Sequence, residues 1–180
     1  SFSMAKQLTG GYAPLSAVAI NGEMAEAIEA NTGKIGVFGH GFTYGGHPLG
    51  CAVGIKALEL YERRGIVDHV RAIMPGFAER LRKAAEHPLV GEARVKGLMG
   101  GLELSPDGSP RPFSQPGKVG ARLAAELIEH GVILRAIGDT LAFCPPMVIT
   151  EEELDQLFAP MEAALDATHA WARAEGHCPA

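Results

Sequence analysis

The protein has 180 residues, with 16 lysines and arginines against 21 aspartates and glutamates, which gives a formal net charge of −5. A chain of this length forms one domain, or one domain and a part of another. Hydrophobic residues make up 47% of the sequence, which is enough to bury a core and excludes general disorder. The acidic balance argues against a nucleic-acid-binding protein, because such a protein needs a clustered basic surface to contact phosphates.

Cysteine usage and hydropathy indicate where the protein works. The three cysteines lie far apart and form neither a disulfide framework nor a Cys-x-x-Cys metal pair, which favours a reducing compartment. No run of residues approaches the ~18 apolar residues of a membrane span, and no signal peptide is visible at the N-terminus. We therefore expect a cytoplasmic protein that does not associate with membranes.

The first part of the chain, residues 1–62, is rich in glycine. In chain order we predict a short buried strand, a helix, a glycine-rich loop and a second helix, over residues 16–20, 22–31, 33–46 and 49–63. Pro48 suits the first turn of the second helix. Apolar residues lie nearly all round this helix, which predicts that it is buried, although a segment of this size cannot bury it alone. Its small residues, Gly50 and Gly54 among them, allow another backbone to pack closely against it.

Residues 63–180 show the pattern of a compact α+β domain. Periodicity and turn signals predict helices and strands in this order: helix 66–86, strands 90–95 and 98–104, helix 118–130, strands 132–137 and 141–144, and helix 150–173. Pro75 is expected to kink or split the first of these helices. Thr150 and Glu153 form a capping box at the start of the last one. This order predicts a small antiparallel sheet covered by helices on one face.

A lysine near the start of the chain is the first candidate for chemistry. Lys6 stands among small and apolar residues and is soon followed by Gly10 and Gly11. A lysine becomes a nucleophile where an apolar or cationic setting lowers its pKa, and Schiff-base lysines arise in this way. Taken alone, the pattern also suits a solvated surface lysine.

The loop 39–48 and Arg135 are further candidates. Backbone N–H groups of glycine-rich turns, the Thr43 hydroxyl and the positive end of the next helix suit a phosphate, but a flexible loop before a capped helix explains the same pattern. Arg135 lies in an apolar run, where a guanidinium either extends to an edge or binds a planar carboxylate. The seven histidines show no ligand spacing, so no metal site is predicted, and His177 and Cys178 are expected at a frayed C-terminus.

Two motifs together resemble the late motifs of the class III aminotransferases, which are pyridoxal-phosphate enzymes of the aspartate-aminotransferase fold. The motifs are MAKQLTGGYAPL at residues 4–15 and HGFTYGGHP at residues 40–48. The run LRAIGD at residues 134–139, followed by Pro145 and Pro146, resembles the ω-amino acid:pyruvate and amine:pyruvate branch. The resemblance implies an α/β fold, with the end of the large cofactor-binding domain over 1–62 and the small C-terminal α+β domain over 63–180.

The resemblance also implies roles for four residues. Lys6 corresponds to the catalytic lysine that holds pyridoxal 5'-phosphate as a Schiff base and moves the substrate proton. Thr43, with Phe42 beside it, corresponds to the threonine that binds the cofactor phosphate in the neighbouring subunit of a homodimer. Arg135 corresponds to the mobile arginine that pairs with a substrate carboxylate. The implied function is transfer of an amino group from an amine or ω-amino acid to a keto acid such as pyruvate.

The position of the lysine departs from the family pattern. In the family it lies well past the middle of the chain, whereas here it is residue 6, so we expect the sequence to be the C-terminal part of an aminotransferase. The glycine–serine phosphate turn and the aspartate that faces the pyridine nitrogen have no counterpart in it. Three hypotheses stay open: a transaminase that needs the remaining part, an aminomutase, racemase or decarboxylase with the same lysine, and a catalytically silent fragment in which 66–180 alone is folded.

Overall fold

The computed structural model describes residues 1–179, which divide into two compact units, Ser1–Gly65 and a second unit that begins at Ile66. The first unit contains two short strands and two helices: β1 (Phe2–Met4), β2 (Ala17–Ala19), α1 (Gly22–Ile35) and α2 (Pro48–Arg63). A single-turn 3-10 helix, Lys6–Thr9, follows β1. The two strands pair antiparallel, with Ser3 opposite Val18.

Burial in the first unit differs from the sequence prediction. β2 is shorter than the predicted strand over 16–20, and it is exposed rather than buried, with Val18 64% exposed. Helix α2 is largely exposed within this unit, as expected of a segment too small to bury it alone, since its buried residues are Gly50 and Gly54 while Leu49 is 66% exposed. The physical reason is the size of the unit, whose few elements cover one side of each other and leave the opposite sides to solvent.

Helix α1 is longer than predicted and takes up the start of the glycine-rich loop. Asn21 caps it by accepting a hydrogen bond from the N–H of Met24 at 3.0 Å. The helix continues past the predicted end at residue 31 and stops at Gly36, whose φ is 76°. Gly33 lies inside it, because a glycine weakens a helix by about 1 kcal/mol and does not by itself break it.

The second unit is a sheet with helices packed on it. Its elements are α3 (Ile66–Ala84), β3 (Val90–Lys96), β4 (Met99–Leu104), α4 (Lys118–Glu129), β5 (Arg135–Ile137), β6 (Thr140–Phe143), α5 (Glu151–Phe158) and α6 (Met161–Ala174). All neighbouring strands are antiparallel, as predicted, and their order is β3-β4-β6-β5. The strand that contains Arg135 is therefore an edge strand, paired on one side by β6.

The sheet has one core face and one open face, as the alternation of its residues predicts. One cross-strand row, Ala93, Leu102, Leu141 and Ala136, faces the helices, and Leu102 and Leu141 are fully buried. Phe77 and Leu81 of α3 and Leu123 of α4 belong to the same core. Apolar packing of this kind supplies most of the stability of a small domain. The opposite face carries the charged residues of the strands.

Two prolines affect their helices differently. α3 runs through Pro75 without a break, so the predicted split does not occur. Ile73 and Phe77, on either side of it, are buried in the same core, which holds both halves of the helix in place. The single helix predicted over 150–173 is two helices, separated at Pro160, which lacks the N–H that a continuous helix requires. α5 packs on α3 and α6 packs on α4, so the two helices contact different neighbours.

Two other local predictions hold with small shifts in their limits. β5 begins at Arg135 rather than at residue 132, and the β5–β6 hairpin turns at Gly138, whose φ is 61°. The capping box at α5 is present, since the N–H of Glu153 donates to Thr150 Oγ1 at 3.2 Å and the N–H of Thr150 donates to Glu153 Oε2 at 2.8 Å.

The segment after α6 folds back instead of fraying. Gly176 has a φ of 74°, and the N–H of His177 donates to the carbonyl oxygen of Ala172 at 2.7 Å. The N–H of Gly176 donates to the carbonyl oxygen of Arg173, which completes a Schellman motif. Cys178 is consequently 7% exposed, and its burial raises the pKa of the thiol.

The C-terminal motif can be tested with Gly176→Ala. The free energy of unfolding is expected to fall by about 1–2 kcal/mol, because a side chain at positive φ clashes with the following carbonyl group. The matched control is Gly33→Ala, where the new Cβ meets open space inside α1 and stability should stay constant or rise by about 0.5–1 kcal/mol. Urea denaturation measures both variants, and equal effects would contradict the motif.

Candidate active site

The lysine segment is a strained turn. Lys6 begins the 3-10 helix with a φ of 54°, in the left-handed region that side chains disfavour. Among residues 1–179 it is the one residue other than glycine with a positive φ. Such a conformation costs about 1–2 kcal/mol and persists where surrounding contacts impose it, most often at functional sites.

Hydrogen bonds close the turn directly behind Lys6. The N–H of Gly11 donates to the carbonyl oxygen of Lys6 at 3.2 Å. The Thr9 hydroxyl donates to the carbonyl oxygen of Ala13 at 2.7 Å and is buried with its residue. Gly10 and Gly11 both adopt positive φ, as a turn at this point requires. The chain therefore reverses within a few residues of the lysine and fixes the direction of its side chain.

Helix α2 holds this turn through its glycine face. A Cβ at Gly54 would lie 2.9 Å from Leu15 Cδ2, the end of a side chain that would have to shift, and at an ordinary contact distance of 3.7 Å from the carbonyl oxygen of Leu8. The Tyr61 hydroxyl donates to the carbonyl oxygen of Gln7 at 2.6 Å. The prediction that another backbone packs closely on α2 is confirmed, and that backbone is the lysine segment.

The side chain of Lys6 is exposed within the first unit. The residues of this unit therefore do not by themselves form the apolar setting that the sequence pattern indicates. What they supply is a fixed backbone position and a fixed Cα–Cβ direction at Lys6.

The glycine-rich loop ends in a tight turn before α2. The N–H of Gly45 donates to the carbonyl oxygen of Phe42 at 2.9 Å, and a Cβ at Gly45 would lie 3.1 Å from that same oxygen. Thr43 is inside this turn, and its hydroxyl and N–H take no part in the hydrogen bonds that close it. His47 Nδ1 caps α2. One short segment thus presents a hydroxyl, a backbone N–H and a helix N-terminus, the groups that bind phosphate.

Arg135 lies on the open face of the second unit's sheet. A cross-strand row joins it through Ala142 and Gly101 to Arg94. Arg94 forms ion pairs with Glu92 and with a second glutamate of the same face, each at 2.7 Å. Within residues 1–179 Arg135 forms no ion pair, although it stands in the same row roughly 14 Å away across three strand spacings.

An open depression of about 800 Å³ adjoins Arg135. Ile133, Pro145 and Val148 give it apolar walls, and Ile133 is 84% exposed. Cys144, an exposed free thiol, also lines it. An anion with an apolar body would find a guanidinium and an apolar surface side by side here.

The candidate residues are divided between the units. Lys6, Phe42 and Thr43 belong to the first unit and Arg135 to the second. Within the described residues no hydrogen bond joins the lysine turn to the loop that holds Thr43. Phe42 is 80% exposed, so it is available for contacts beyond its own unit.

Sequence reasoning missed one residue near Arg135. Asp139 follows Gly138 in the β5–β6 turn, and its carboxylate accepts hydrogen bonds from the N–H groups of Gly117 at 2.7 Å and Gly120 at 2.9 Å. These groups belong to the N-terminus of α4, which has no side-chain cap of its own. A glycine at the capping position of a predicted helix is the signal that a cap must come from elsewhere.

Metal and membrane features can be reported for residues 1–179. In this range no group of three or more histidine, cysteine, aspartate or glutamate residues is arranged to hold a metal ion. No helix there combines the length and the hydrophobicity needed to cross a membrane.

The curated relatives are transaminases that are considerably longer than this chain. Gamma-aminobutyrate transaminase 1, mitochondrial, of Oryza sativa subsp. indica is 41% identical over 167 residues, which cover 92% of this chain and 32% of the relative. Diaminobutyrate–2-oxoglutarate transaminase of Halomonas elongata is 41% identical over 168 residues, 91% of this chain and 36% of the relative. The chain thus spans about a third of the length of the curated relatives it matches.

Solved structures give the same result for the fold. A structure described as "Transaminase with L-ala" has a TM-score of 0.87 and 41% identity, over 94% of this chain and 40% of that one. The PMP-bound aminotransferase from Vibrio fluvialis has a TM-score of 0.85 and 36% identity, over 93% of this chain and 37% of that one. The family model "Aminotransferase class-III" matches residues 2–165, nearly the whole chain. The chain therefore belongs to the class III aminotransferases.

Proposed function

We propose that the protein is a pyridoxal-phosphate-dependent transaminase that moves an amino group from an amine or ω-amino acid to a keto acid such as pyruvate. The observation that carries this proposal is Lys6, a lysine inside the matched family segment that is held at a positive φ by its turn and by α2. The names of the relatives support an ω-amino donor, since they include a γ-aminobutyrate and a diaminobutyrate transaminase. One structural neighbour is described as a transaminase with L-alanine, the amino acid that pyruvate yields on amination.

The residues present fit pyridoxal 5'-phosphate. The hydrogen bond that closes the turn joins Gly45 to Phe42 and does not use the hydroxyl or the N–H of Thr43. Both groups precede a helix N-terminus, which favours an anion. Lys6 supplies the amine that attaches the cofactor covalently. When bound, the cofactor supplies an electron sink for the charge that develops at the substrate carbon.

Lys6 serves both half-reactions as the group that moves a proton. Lys6 Nζ would hold the cofactor until a donor amine binds, and the free Lys6 amine would then accept a proton from the substrate carbon that bears the nitrogen. The strained backbone of Lys6 and the reversal at Gly10 and Gly11 fix where this amine can reach. The keto acid is converted by the same proton movement in the opposite direction.

Thr43 and Phe42 are proposed to bind the cofactor phosphate of a second copy in a homodimer. Within the described residues no hydrogen bond joins Thr43 to the lysine turn of its own chain, which agrees with a loop that serves the site of a second copy. The exposure of Phe42 agrees with a position between subunits.

The two units are proposed to correspond to the two domains of the family fold. Ser1–Gly65 would be the end of the large cofactor-binding domain, and its exposed apolar residues on α2 would pack against the remainder of that domain. The unit from Ile66 onward would be the small domain. Three free thiols favour a reducing compartment, which we propose is the cytoplasm.

Arg135 is proposed to bind the carboxylate of the keto acid. A guanidinium grips a carboxylate with two parallel hydrogen bonds, and among the described residues Arg135 has no acidic partner that would compete for it. It adjoins an open depression in which the rest of the substrate can lie. A neutral amine does not need this contact.

Covalent trapping tests the assignment of Lys6. Borohydride reduction of the protein with pyridoxal phosphate is expected to leave a pyridoxyl group on Lys6, located by peptide mapping, and Lys6→Ala should lose it. Turnover of Lys6→Ala should fall at least about 10²- to 10⁴-fold, the usual contribution of a positioned proton-transfer group. Lys56→Ala is the control, because Lys56 is an exposed lysine of α2 that pairs with Glu59. Labels spread over surface lysines would contradict the assignment.

The strain at Lys6 makes a prediction for stability. The free energy of unfolding of Lys6→Gly should be about 1 kcal/mol higher than that of Lys6→Ala, because glycine adopts positive φ without a clash. At Lys56, within α2, the order should be the reverse, with alanine about 1 kcal/mol more stable than glycine. Urea denaturation of the four variants checks the reversal, and the same order at both positions would contradict the strained turn.

Substrate selectivity tests Arg135. Arg135→Ala should raise the KM for pyruvate about 10- to 100-fold, since a hydrogen bond to a charged group contributes ~1.5–3 kcal/mol, and should leave a neutral amine donor nearly unaffected. Arg94→Ala removes an arginine from the same row of the sheet and is the control. Steady-state kinetics with both substrates measures the difference, and equal losses for the two would refute the carboxylate role.

Product analysis separates the transaminase from the other hypotheses. Stoichiometric conversion of pyruvate to alanine is expected for amino-group transfer. Release of carbon dioxide, or rearrangement of a single substrate without consumption of pyruvate, would instead assign a decarboxylase or an aminomutase with the same lysine.

A further inference from the structure

We propose that Asp139 is a positioning residue that fixes the β5–β6 hairpin and, through it, the guanidinium of Arg135. The inference rests on the proposed carboxylate-binding function of Arg135. It assigns selectivity for carboxylate substrates to a residue that is in the turn of the hairpin and does not itself contact the substrate.

The carboxylate of Asp139 joins the hairpin to α4. One oxygen accepts the N–H of Gly117 at 2.7 Å and the other accepts the N–H of Gly120 at 2.9 Å. Gly117 is the N-cap of α4 and brings no capping side chain, so Asp139 replaces the missing cap. A negative charge at a helix N-terminus is also stabilised by the helix dipole.

The backbone of Asp139 makes a second connection. Its carbonyl oxygen accepts the N–H of Leu104 at 2.9 Å, at the end of β4. The turn between β5 and β6 is thus held from two sides, by α4 through the side chain and by β4 through the main chain. Both connections meet in one residue.

Glycine makes the contact with α4 close enough for these hydrogen bonds. A Cβ at Gly120 would overlap the carbonyl oxygen of Gly138 and would lie 2.9 Å from the Cα of Asp139. The first turn of α4 therefore rests directly on the hairpin turn. A substitution at Gly120 would separate helix and hairpin while leaving the Asp139 side chain in place.

Asp139 holds the turn end of the strand that carries Arg135, while Val132 and Leu134 before the strand pack against the core. β5 is three residues long and is paired on one side alone, by β6. Residues 132–134 before it are in no regular element, and Arg135 itself has no ion pair among the described residues. Asp139 therefore fixes the turn end of β5, and a movement of that end is transmitted along the three-residue strand to Arg135.

The experiment replaces Asp139 by asparagine in the complete protein loaded with pyridoxal phosphate. Asparagine has nearly the same shape, but it has one oxygen, so its NH₂ group faces one of the two backbone N–H groups instead of accepting a hydrogen bond. We expect the KM for pyruvate to rise about 10- to 100-fold, as for a misplaced substrate-binding group, with kcat and the use of a neutral amine changed less than about twofold. Gly120→Ala should show the same selective effect.

Asp107→Asn is the matched control. Asp107 also lies in a loop of the second unit and also accepts a backbone N–H, that of Ser109, but it has no connection to β5. The same chemical change there should leave both substrates unaffected. A similar rise in KM for Asp107→Asn would overturn the specific role of Asp139.

A double-mutant cycle separates positioning from general stability. In an Arg135→Ala background, Asp139→Asn should have no further effect on the KM for pyruvate, because residues that act through one another are not additive. An undiminished effect in that background, or equal losses for pyruvate and the neutral amine, would overturn the inference. If Arg135→Ala impairs the use of pyruvate and of the neutral amine equally, the proposed function of Arg135 is wrong, and this conclusion does not depend on the result for Asp139→Asn.

Amide hydrogen exchange gives a readout that is independent of activity. Asp139→Asn should accelerate exchange at Gly117, Gly120 and β5 at least about tenfold, the loss expected when local opening becomes easier, while β3 keeps its protection. Loss of protection in β3 as well would show that Asp139 maintains the whole sheet, and the specific positioning role would be wrong.

Discussion

Close contact between a helix and a neighbouring turn, made at a glycine of the helix, is the constraint on which both candidate site segments depend. In the first unit the contact is at Gly54, which brings α2 against the turn that holds Lys6. In the second it is at Gly120, which brings α4 against the turn that follows Arg135. A side chain at Gly120 would have to displace backbone atoms of Gly138 and Asp139, whereas one at Gly54 would have to displace the end of the Leu15 side chain. Lys6 and Arg135, the candidate functional residues, thus lie in segments that pack against α2 and α4.

The lysine turn shows how packing can support a conformation that is locally unfavourable. At about 1–2 kcal/mol, the positive φ of Lys6 is small beside the packing and hydrogen bonds that surround it, among them those of Thr9 and Tyr61. The amine itself is exposed in this unit, so strain serves the direction of the side chain and not its burial. An unstrained turn would be more stable but would change the Cα–Cβ direction at Lys6, an opposition between stability and function that is common at active sites.

The sequence predicts what depends on local pattern and misses what depends on distant neighbours. Periodicity and capping signals give the helices, the antiparallel sheet and its hairpin, and the motif around Lys6 gives the family. Local rules cannot distinguish Pro75, which a continuous core tolerates, from Pro160, where the flanking helices pack on different partners. Local rules also cannot predict the hydrogen bond between Asp139 and Gly117, because it joins residues that only the folded hairpin brings together.

The two arginines of the open sheet face show why an unpaired charge suits this site. Arg94 and Arg135 stand in one cross-strand row, but Arg94 is held by two glutamates while Arg135 has no acidic partner among the described residues. An exposed ion pair contributes only ~0–1 kcal/mol, so leaving Arg135 solvated costs little stability. A carboxylate then gains a bidentate contact without first displacing an internal anion. In the proposed transaminase a neutral amine leaves the guanidinium in water, which is compatible with one site serving both substrates.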